Sequence, residues 1–282
     1  STNIKHVSES VNKNFTDKLF LLENTRLFGE SLDENNDENF SEALSHLGEV
    51  FVFDAFSVAH RKHSTTIGVS KYIPHTLGPV ALHELESLSK VLKPENEVSE
   101  LVILGGAKLS TKLPLVERFL AKGVTVFLGG AMAHPIMKRR GVDIKNSLTE
   151  EIDINDVVVK SEKLITPTDF VWDRKSSDKI VDCGHETAEK VKELIRLSNV
   201  ILWNGPLGLY EDGYVEGTKD LIALLDSKRP ENTDKYTVVG GGDTLTILEG
   251  FPNFSCSYLS LSGGAMLEFL AKGNLPGIDS NR

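Results

Sequence analysis

The feature that most constrains this fold is a repeat that begins near residue 101. Each repeat has a short apolar run, a glycine-rich or polar turn and a helical segment. The apolar runs lie at residues 101–104, 124–128, 163–165, 200–203, 237–239 and 258–260. Alternating β and α units with short turns predict a doubly wound parallel sheet, whose ligands bind beyond the carboxyl ends of the strands.

The stretch YTVVGGGDTLTIL, residues 236–248, shows this pattern most clearly. A buried strand leads into the glycines at 240–242, and Asp243 and Thr244 then open a helix. Unpaired N–H groups at a helix start attract an anion, and glycine lets a phosphate approach the main chain closely. Asp243 would repel a bare phosphate unless a cation such as Mg²⁺ lies between them. The turn therefore predicts a site for a Mg²⁺-nucleotide, with a helix cap without a ligand as the alternative.

Runs of two or three glycines recur at four of the predicted strand ends, which favours the ligand site over the simple cap. They lie at residues 105–106, 129–130, 240–242 and 263–264. The sequence contains no GxxxxGK[ST] motif and no GxGxxG after the first strand, which argues against a P-loop protein and disfavours a dinucleotide oxidoreductase.

The N-terminal part contains a second group of candidate ligands. Predicted strands at residues 15–22 and 50–53 flank an acidic loop at 29–39 and a helix at 40–47. Arg26 follows the first strand, and the run His60-Arg61-Lys62-His63 follows the second. Two arginines beyond strand ends can converge on one anion. A solvated loop is the alternative.

The chain divides near residue 95. Residues 79–92 carry apolar side chains at helical spacing, and the sequence KPENE at 93–97 ends that helix. We expect a partial N-terminal lobe at 1–80, an interdomain helix at 81–95 and a C-terminal nucleotide-binding lobe at 96–282.

Composition narrows the function classes. The chain has 282 residues and a formal net charge of -10, which argues against nucleic acid as a partner. The opening sequence is polar and no apolar run reaches the length of a membrane span, so we expect a cytoplasmic protein with no membrane partner. Cys183 and Cys256 fall in no metal-ligand spacing and are expected to be reduced structural thiols. The histidines show no zinc motif.

Eight segments together resemble the phosphoglycerate kinase family in the same order along almost the whole chain. They are LLENTR, DAFSVAHRKH, GGAKLSTK, GGAMA, WNGPLGLYE, EGTK, VVGGGDT and SGGAMLEFL. The resemblance implies two lobes of doubly wound, Rossmann-like α/β sheet that close by hinge bending, and a monomer. It implies reversible phosphoryl transfer in glycolysis, in which 1,3-bisphosphoglycerate and ADP give 3-phosphoglycerate and ATP, with Mg²⁺ as cofactor.

The resemblance also assigns roles to residues at matching positions. Lys112, Gly263 and Gly264 would act on the transferring phosphoryl group, and Asp243 would hold the magnesium ion. Arg26, Arg61 and His63 would bind phosphoglycerate. The nucleotide would contact Gly106, Lys108, Lys112, Gly129, Gly130, Asn204, Pro206, Glu211, Gly241, Gly242, Asp243 and Thr244.

The chain also departs from the family pattern. The opening of the family's N-terminal lobe has no counterpart before Ser1, so we expect an incomplete lobe, and a partner that supplies the missing strands stays open. Ser57-Val58, Leu261-Ser262 and Met266 differ from the usual residues. A truncated, non-catalytic nucleotide-binding relative that acts through a partner is therefore the second hypothesis, and an unrelated Rossmann-type oxidoreductase is the third.

Overall fold

The computed structural model describes residues 21–27, 32–92 and 99–282 of the chain. The described residues form two compact units. One contains those up to Glu86 together with Lys272–Arg282, and the other contains Ser87–Ala271. Most of the strand predicted at 15–22, and the helix break at 93–97, lie outside the described residues.

The α-helices of the described residues are numbered α1 to α10 and the strands β1 to β10, in chain order. The helices are Glu38–Ser45, Pro79–Leu92, Leu113–Ala121, His134–Arg139, Asp156–Lys160, His185–Arg196, Glu216–Leu225, Gly242–Leu248, Gly263–Lys272 and Pro276–Asp279. The strands are Phe51–Phe53, His75–Leu77, Glu100–Leu104, Thr125–Leu128, Leu164–Ile165, Phe170–Trp172, Ile180–Cys183, Val200–Asn204, Tyr236–Gly240 and Tyr258–Ser260. None of these helices is long and apolar enough to cross a membrane.

The first unit contains the parallel pair β1 and β2, with α1 before them in the chain. Helix α1 begins two residues earlier than the helix predicted at 40–47, because the Asp37 carboxylate accepts the Phe40 N–H at 2.8 Å and caps the first turn. The C-terminal residues pack onto this unit. Gly277 N donates to Ala59 O at 2.8 Å, and the buried Asn281 amide donates to Thr66 O.

The second unit is built on the predicted parallel sheet, in the order β10-β9-β8-β3-β4-β5. The chain runs outward from β3 to β5 and then returns to β8 on the other side of β3. Ligands bind where neighbouring strands lead away in opposite directions, so the switch point lies between β3 and β8. Strand β8 is buried along its whole length, and Trp203, at 0% exposure, belongs to the core beneath this point. The α/β prediction is confirmed.

An antiparallel pair, β6 with β7, forms a separate two-stranded sheet that the sequence pattern did not predict. Its register shifts between Val171 and Trp172. All three residues of β6 are partly exposed, so the segment lacks the continuous apolar run that marks the central strands.

Candidate functional site

The ends of β3 and β8 lie side by side at the switch point. Gly105, the first residue after β3, donates its N–H to the carbonyl oxygen of Asn204, the last residue of β8, at 2.9 Å. A Cβ on Gly105 would lie 2.0 Å from Pro206 O, and one on Gly205 would lie 2.3 Å from Gly105 O, at a φ of +96°. The two turns therefore touch backbone to backbone, which only glycine permits.

Lys112 directs its ammonium group to this contact. Its Nζ donates to Gly105 O at 2.7 Å and to Asn204 O at 3.2 Å. Burial lowers the pKa of Lys112 to about 8, and the nearby Asp243 carboxylate opposes that shift. The site therefore holds a partly desolvated cation at the switch point, where an anionic ligand would favour its charged form.

The end of β9 is tied to the end of β8 by two buried side chains. Asn204 Nδ2 donates to Gly240 O at 2.7 Å, and Thr244 Oγ1 accepts the Gly205 N–H at 2.7 Å. Gly241 has a φ of +108°, and a Cβ there would lie 2.4 Å from Asn204 Nδ2. Thr244 is fully buried. In the described structure, the Asn204 and Thr244 side chains thus hold the ends of β8 and β9 together.

Asp243 lies in the first turn of α8, and its side chain is exposed. Within the described residues, no group of three or more His, Cys, Asp or Glu side chains forms a metal cage. Mg²⁺ is usually held by one or two carboxylates together with substrate phosphates. A single exposed carboxylate beside the predicted nucleotide site fits that donor set.

The start of α9 lies against the glycine turn after β9. A Cβ on Gly263 would lie 3.1 Å from the Cα of Gly241, whereas one on Gly264 would meet no atom within 4 Å. The first turn of α9 is thus packed on one side and open at Gly264. A ten-residue helix presents unpaired N–H groups and a partial positive charge at such a start.

A cavity of about 210 Å³ lies beside these turns in the second unit. Five of the predicted nucleotide residues line it: Gly106, Gly130, Pro206, Glu211 and Asp243. Gly129 instead packs beneath the turn, where a Cβ would lie 2.5 Å from the Leu207 side chain. The exposed Lys108 side chain and the remaining predicted residues do not line the cavity.

Sequence reasoning missed the walls of this cavity. They are mainly apolar and include His134, Met137, Leu148, Phe170, Ile180 and Leu209. These residues come from five separate stretches of chain, and none has a motif of its own. The only available signal was position, because His134 directly follows GGAMA and Leu209 falls inside WNGPLGLYE.

Two bonds connect the β6–β7 pair to the turn that carries Glu211. Leu209 N donates to Val181 O at 2.7 Å, and the Tyr214 hydroxyl donates to Asp173 Oδ1 at 2.7 Å. The hydrogen bond from Tyr214 is the main reason that the pKa of Asp173 falls to about 2. The wall and the lip of the cavity are therefore linked.

The predicted acceptor residues lie in the first unit. Arg26 belongs to the turn Thr25–Leu27, and Arg61 and His63 follow the turn Phe56–Val58. Arg61 and His63 are both partly buried. Asp33, which the sequence did not single out, lies beside His63, with Oδ2 3.8 Å from His63 Nδ1.

A sequence model described as phosphoglycerate kinase matches residues 2–273 of this chain. The chain belongs to the phosphoglycerate kinase family. The phosphoglycerate kinase of Francisella philomiragia is 34% identical over 275 residues, which cover 88% of this chain and 68% of that protein. By family the chain is therefore a kinase that transfers a phosphoryl group, and the hypothesis of a non-catalytic relative is not favoured.

Two solved phosphoglycerate kinases have the same fold. The structure from Coxiella burnetii superposes with a TM-score of 0.76 at 30% identity and covers 91% of this chain and 71% of its own. The structure from Pyrococcus horikoshii superposes with a TM-score of 0.79 at 25% identity and covers 98% of this chain and 75% of its own. These likenesses agree with the two-lobed, Rossmann-like prediction.

Two of the departures from the phosphoglycerate kinase pattern, Met266 and Leu261-Ser262, have local structural counterparts. Met266 is fully buried, and a Cβ on Gly240 would lie 2.6 Å from its sulfur, so the glycine at the end of β9 makes room for the larger side chain. Ser262 is buried with its N–H on Ser260 Oγ at 3.2 Å, whereas Leu261 is exposed.

The two cysteines match the expectation of structural thiols. Both are free, Cys183 is buried and Cys256 is partly buried. Burial raises the pKa of Cys183 to about 12 and that of Cys256 to about 11. Since the thiolate is the reactive form, neither is suited to nucleophilic chemistry near neutral pH.

Proposed function

We propose that the second unit binds Mg-ATP and that the first binds 3-phosphoglycerate, so that the chain transfers the γ-phosphoryl group to the acceptor carboxylate and reverses that reaction. The observation that carries this proposal is the position of the Lys112 ammonium at the switch point of the parallel sheet, bonded to Gly105 O and Asn204 O. A cation there offsets charge on a transferring phosphoryl group.

The nucleotide base occupies the apolar cavity, between Gly130 and Pro206 on one side and the β6–β7 pair on the other. Glu211, exposed at the lip, takes the ribose hydroxyls. The phosphates then extend along the strand ends past Asp243. Lys108, Gly106, Gly129 and Asn204 complete this side, either as direct contacts or by shaping the turns. The apolar walls support this assignment, because ligand cavities are mostly apolar with a few polar groups that orient the ligand.

Asp243 is the residue that would hold Mg²⁺ together with the nucleotide phosphates. The bound ion would neutralise phosphate charge. Gly241, Gly242 and Thr244 form the turn that places this carboxylate.

Lys112 and the start of α9 act on the group in transfer. The open space at Gly264 allows an equatorial phosphoryl oxygen to approach the helix N–H groups, and Gly263 supplies the adjoining backbone. Because the acceptor is already a carboxylate, no general base is required. These groups therefore act by positioning and charge, which is how most catalysis of phosphoryl transfer arises.

The acceptor site consists of Arg26, Arg61 and His63 in the first unit. Arginine pairs bind phosphate and carboxylate groups in a bidentate manner, which suits an acceptor that carries both. We retain the lobe boundaries 1–80, 81–95 and 96–282 as part of this proposal, with a monomer acting in the cytoplasm.

The test is ATP consumption by the purified chain, measured in a coupled assay with Mg²⁺ and with or without 3-phosphoglycerate. We expect turnover that depends on 3-phosphoglycerate and on Mg²⁺ and that is largely lost in Lys112→Ala. Folded protein that binds Mg-ADP but shows no such turnover would overturn the proposed reaction and leave nucleotide binding alone.

A further inference from the structure

Asp33 is a buried carboxylate of the first unit, 6% exposed. Its oxygens accept hydrogen bonds from the Thr25 hydroxyl at 2.9 Å, from the Thr65 N–H at 2.8 Å and from the Thr65 hydroxyl at 2.9 and 3.0 Å. A buried charge is costly unless it is paired or well hydrogen-bonded, and the Thr25 and Thr65 donors provide these hydrogen bonds.

The donors belong to the two segments that carry the proposed acceptor residues. Thr25 directly precedes Arg26, and Thr65 lies two residues after His63. The second segment is also held through its main chain, because Ser64 N donates to Asp33 O at 2.9 Å. One residue thus joins the segment of Arg26 to the segment of Arg61 and His63.

A purely local role would give a different bonding pattern. Aspartates that stabilise turns bond to backbone N–H groups two or three residues further on, and Asp37 does so with Phe40. The turn at Asp33 is closed by its main chain, with Asn36 N on Asp33 O at 3.1 Å. Its carboxylate instead reaches residues 8 and 32 positions away.

We propose that Asp33 is a positioning residue for the acceptor site, and that it sets the distance between the Arg26 segment and the Arg61–His63 segment. This inference rests on the function proposed above. Hydrogen bonds to an ionised carboxylate are stronger than neutral ones, and catalytic rates depend steeply on small displacements of binding groups. Asp33 fixes the groups that hold the acceptor and leaves the nucleotide site of the other unit unchanged.

The experiment compares Asp33→Ala with Asp37→Ala, which removes a carboxylate from the same segment but from a helix cap. We expect Asp33→Ala to raise KM for 3-phosphoglycerate by about tenfold or more, because all the charge-assisted hydrogen bonds that the carboxylate accepts are lost together, with KM for Mg-ATP unchanged. Asp37→Ala should lower the thermal midpoint and leave both KM values near those of the wild type. Thr25→Val and Thr65→Val each remove one hydroxyl donor and should raise KM for 3-phosphoglycerate by less.

The outcomes separate the two proposals. If the wild type binds 3-phosphoglycerate and Asp33→Ala binds it equally well, the positioning role is wrong while the proposed function stands. Equal increases in both KM values would also overturn that role, because they would indicate general destabilisation. If Asp33→Ala does not fold, Thr25→Val and Thr65→Val test the positioning role instead, through the same two KM values. Wild-type protein that fails to bind 3-phosphoglycerate would overturn the proposed function and this inference together.

Discussion

The side-chain nitrogen of Lys112 lies 2.7 Å from the carbonyl oxygen of Gly105. The two residues stand at opposite ends of the loop between β3 and α3, so this bond folds the loop back over the end of β3. The same nitrogen reaches Asn204 O at the end of β8, which joins the strands on either side of the switch point. These two hydrogen bonds fix the position of the cation at the switch point.

Lys112→Met should lower kcat by about 10²–10³, the cost of removing one group that stabilises transition-state charge. KM for Mg-ATP should change little, because the ammonium acts mainly when charge redistributes. Steady-state kinetics in both substrates measure this. Lys122→Met is the matched control, since Lys122 Nζ donates to Leu92 O, away from the carboxyl ends of the strands. A loss shared equally between kcat and nucleotide affinity would contradict the role.

The activity should have an alkaline limit set by Lys112. Because burial lowers its pKa from 10.5 to about 8, kcat/KM for Mg-ATP should fall as pH rises through about 8. Lys112→Arg keeps its charge and should move this limit to higher pH. Identical alkaline limbs in the two proteins would show that another group titrates.

Lys112 should also make the free energy of unfolding rise with pH over the range in which the activity falls. The unfolded chain keeps the Lys112 proton up to about pH 10.5, whereas the folded chain releases it near pH 8. Between these values the unfolded state binds more protons, so the Lys112 contribution to the free energy of unfolding rises with pH. Denaturant unfolding of the wild type and Lys112→Met at pH 7.5 and 10, values chosen to bracket about 8, measures this contribution. The free energy of unfolding of the wild type should rise relative to that of Lys112→Met between the two pH values.

Gly264→Ala should separate folding from activity. An added Cβ meets no protein atom within 4 Å, and glycine-to-alanine changes at compatible positions stabilise by about 0.4–1 kcal/mol. The methyl group would nevertheless occupy the open space at the start of α9, so turnover should fall while the thermal midpoint is maintained. Gly250→Ala, where the nearest atom is Ile247 O at 3.4 Å, is the control and should retain activity. Full activity in Gly264→Ala would exclude close approach of a phosphoryl group there.

Tyr214→Phe should weaken nucleotide binding by roughly threefold to tenfold, because a single hydrogen bond contributes on the order of 1 kcal/mol. The hydroxyl donates to Asp173 and accepts the Arg174 N–H at 3.0 Å, which links the cavity lip to the wall. Calorimetric titration with Mg-ADP measures the effect, and Tyr210→Phe in the same turn is the control. Unchanged affinity would mean that the wall holds its position without this link.

The same substitution should alter acid stability. The pKa of Asp173 is lowered from 3.8 to about 2, so its contribution to folding is present above about pH 4 and is lost as pH falls through about 2. In acid unfolding, the difference in free energy of unfolding between the wild type and Tyr214→Phe should therefore become smaller as pH falls from about 4 to about 2.

The elements that the sequence pattern predicted correctly are those whose conformation depends on neighbouring residues in the chain. Apolar runs followed by glycine turns predicted the parallel sheet, and the strand at 258–260 and the helix at 79–92 have the predicted bounds. The turn at Gly241 and the helix that carries Asp243 follow from backbone geometry within a few residues. Such features are local, so a single sequence contains the information for them.

The tertiary structure decided which side chains meet. Lys112 bonds to an oxygen 92 positions away, and the cavity walls combine His134, Phe170 and Leu209 from separate segments. Asp33 resembles any acidic loop residue until folding brings Thr25 and Thr65 against its carboxylate. These contacts depend on how segments that are far apart in the sequence pack together, and no periodicity or short motif encodes that packing. The sequence therefore determined the strand ends at which ligands are expected, and only the fold decided which groups surround them.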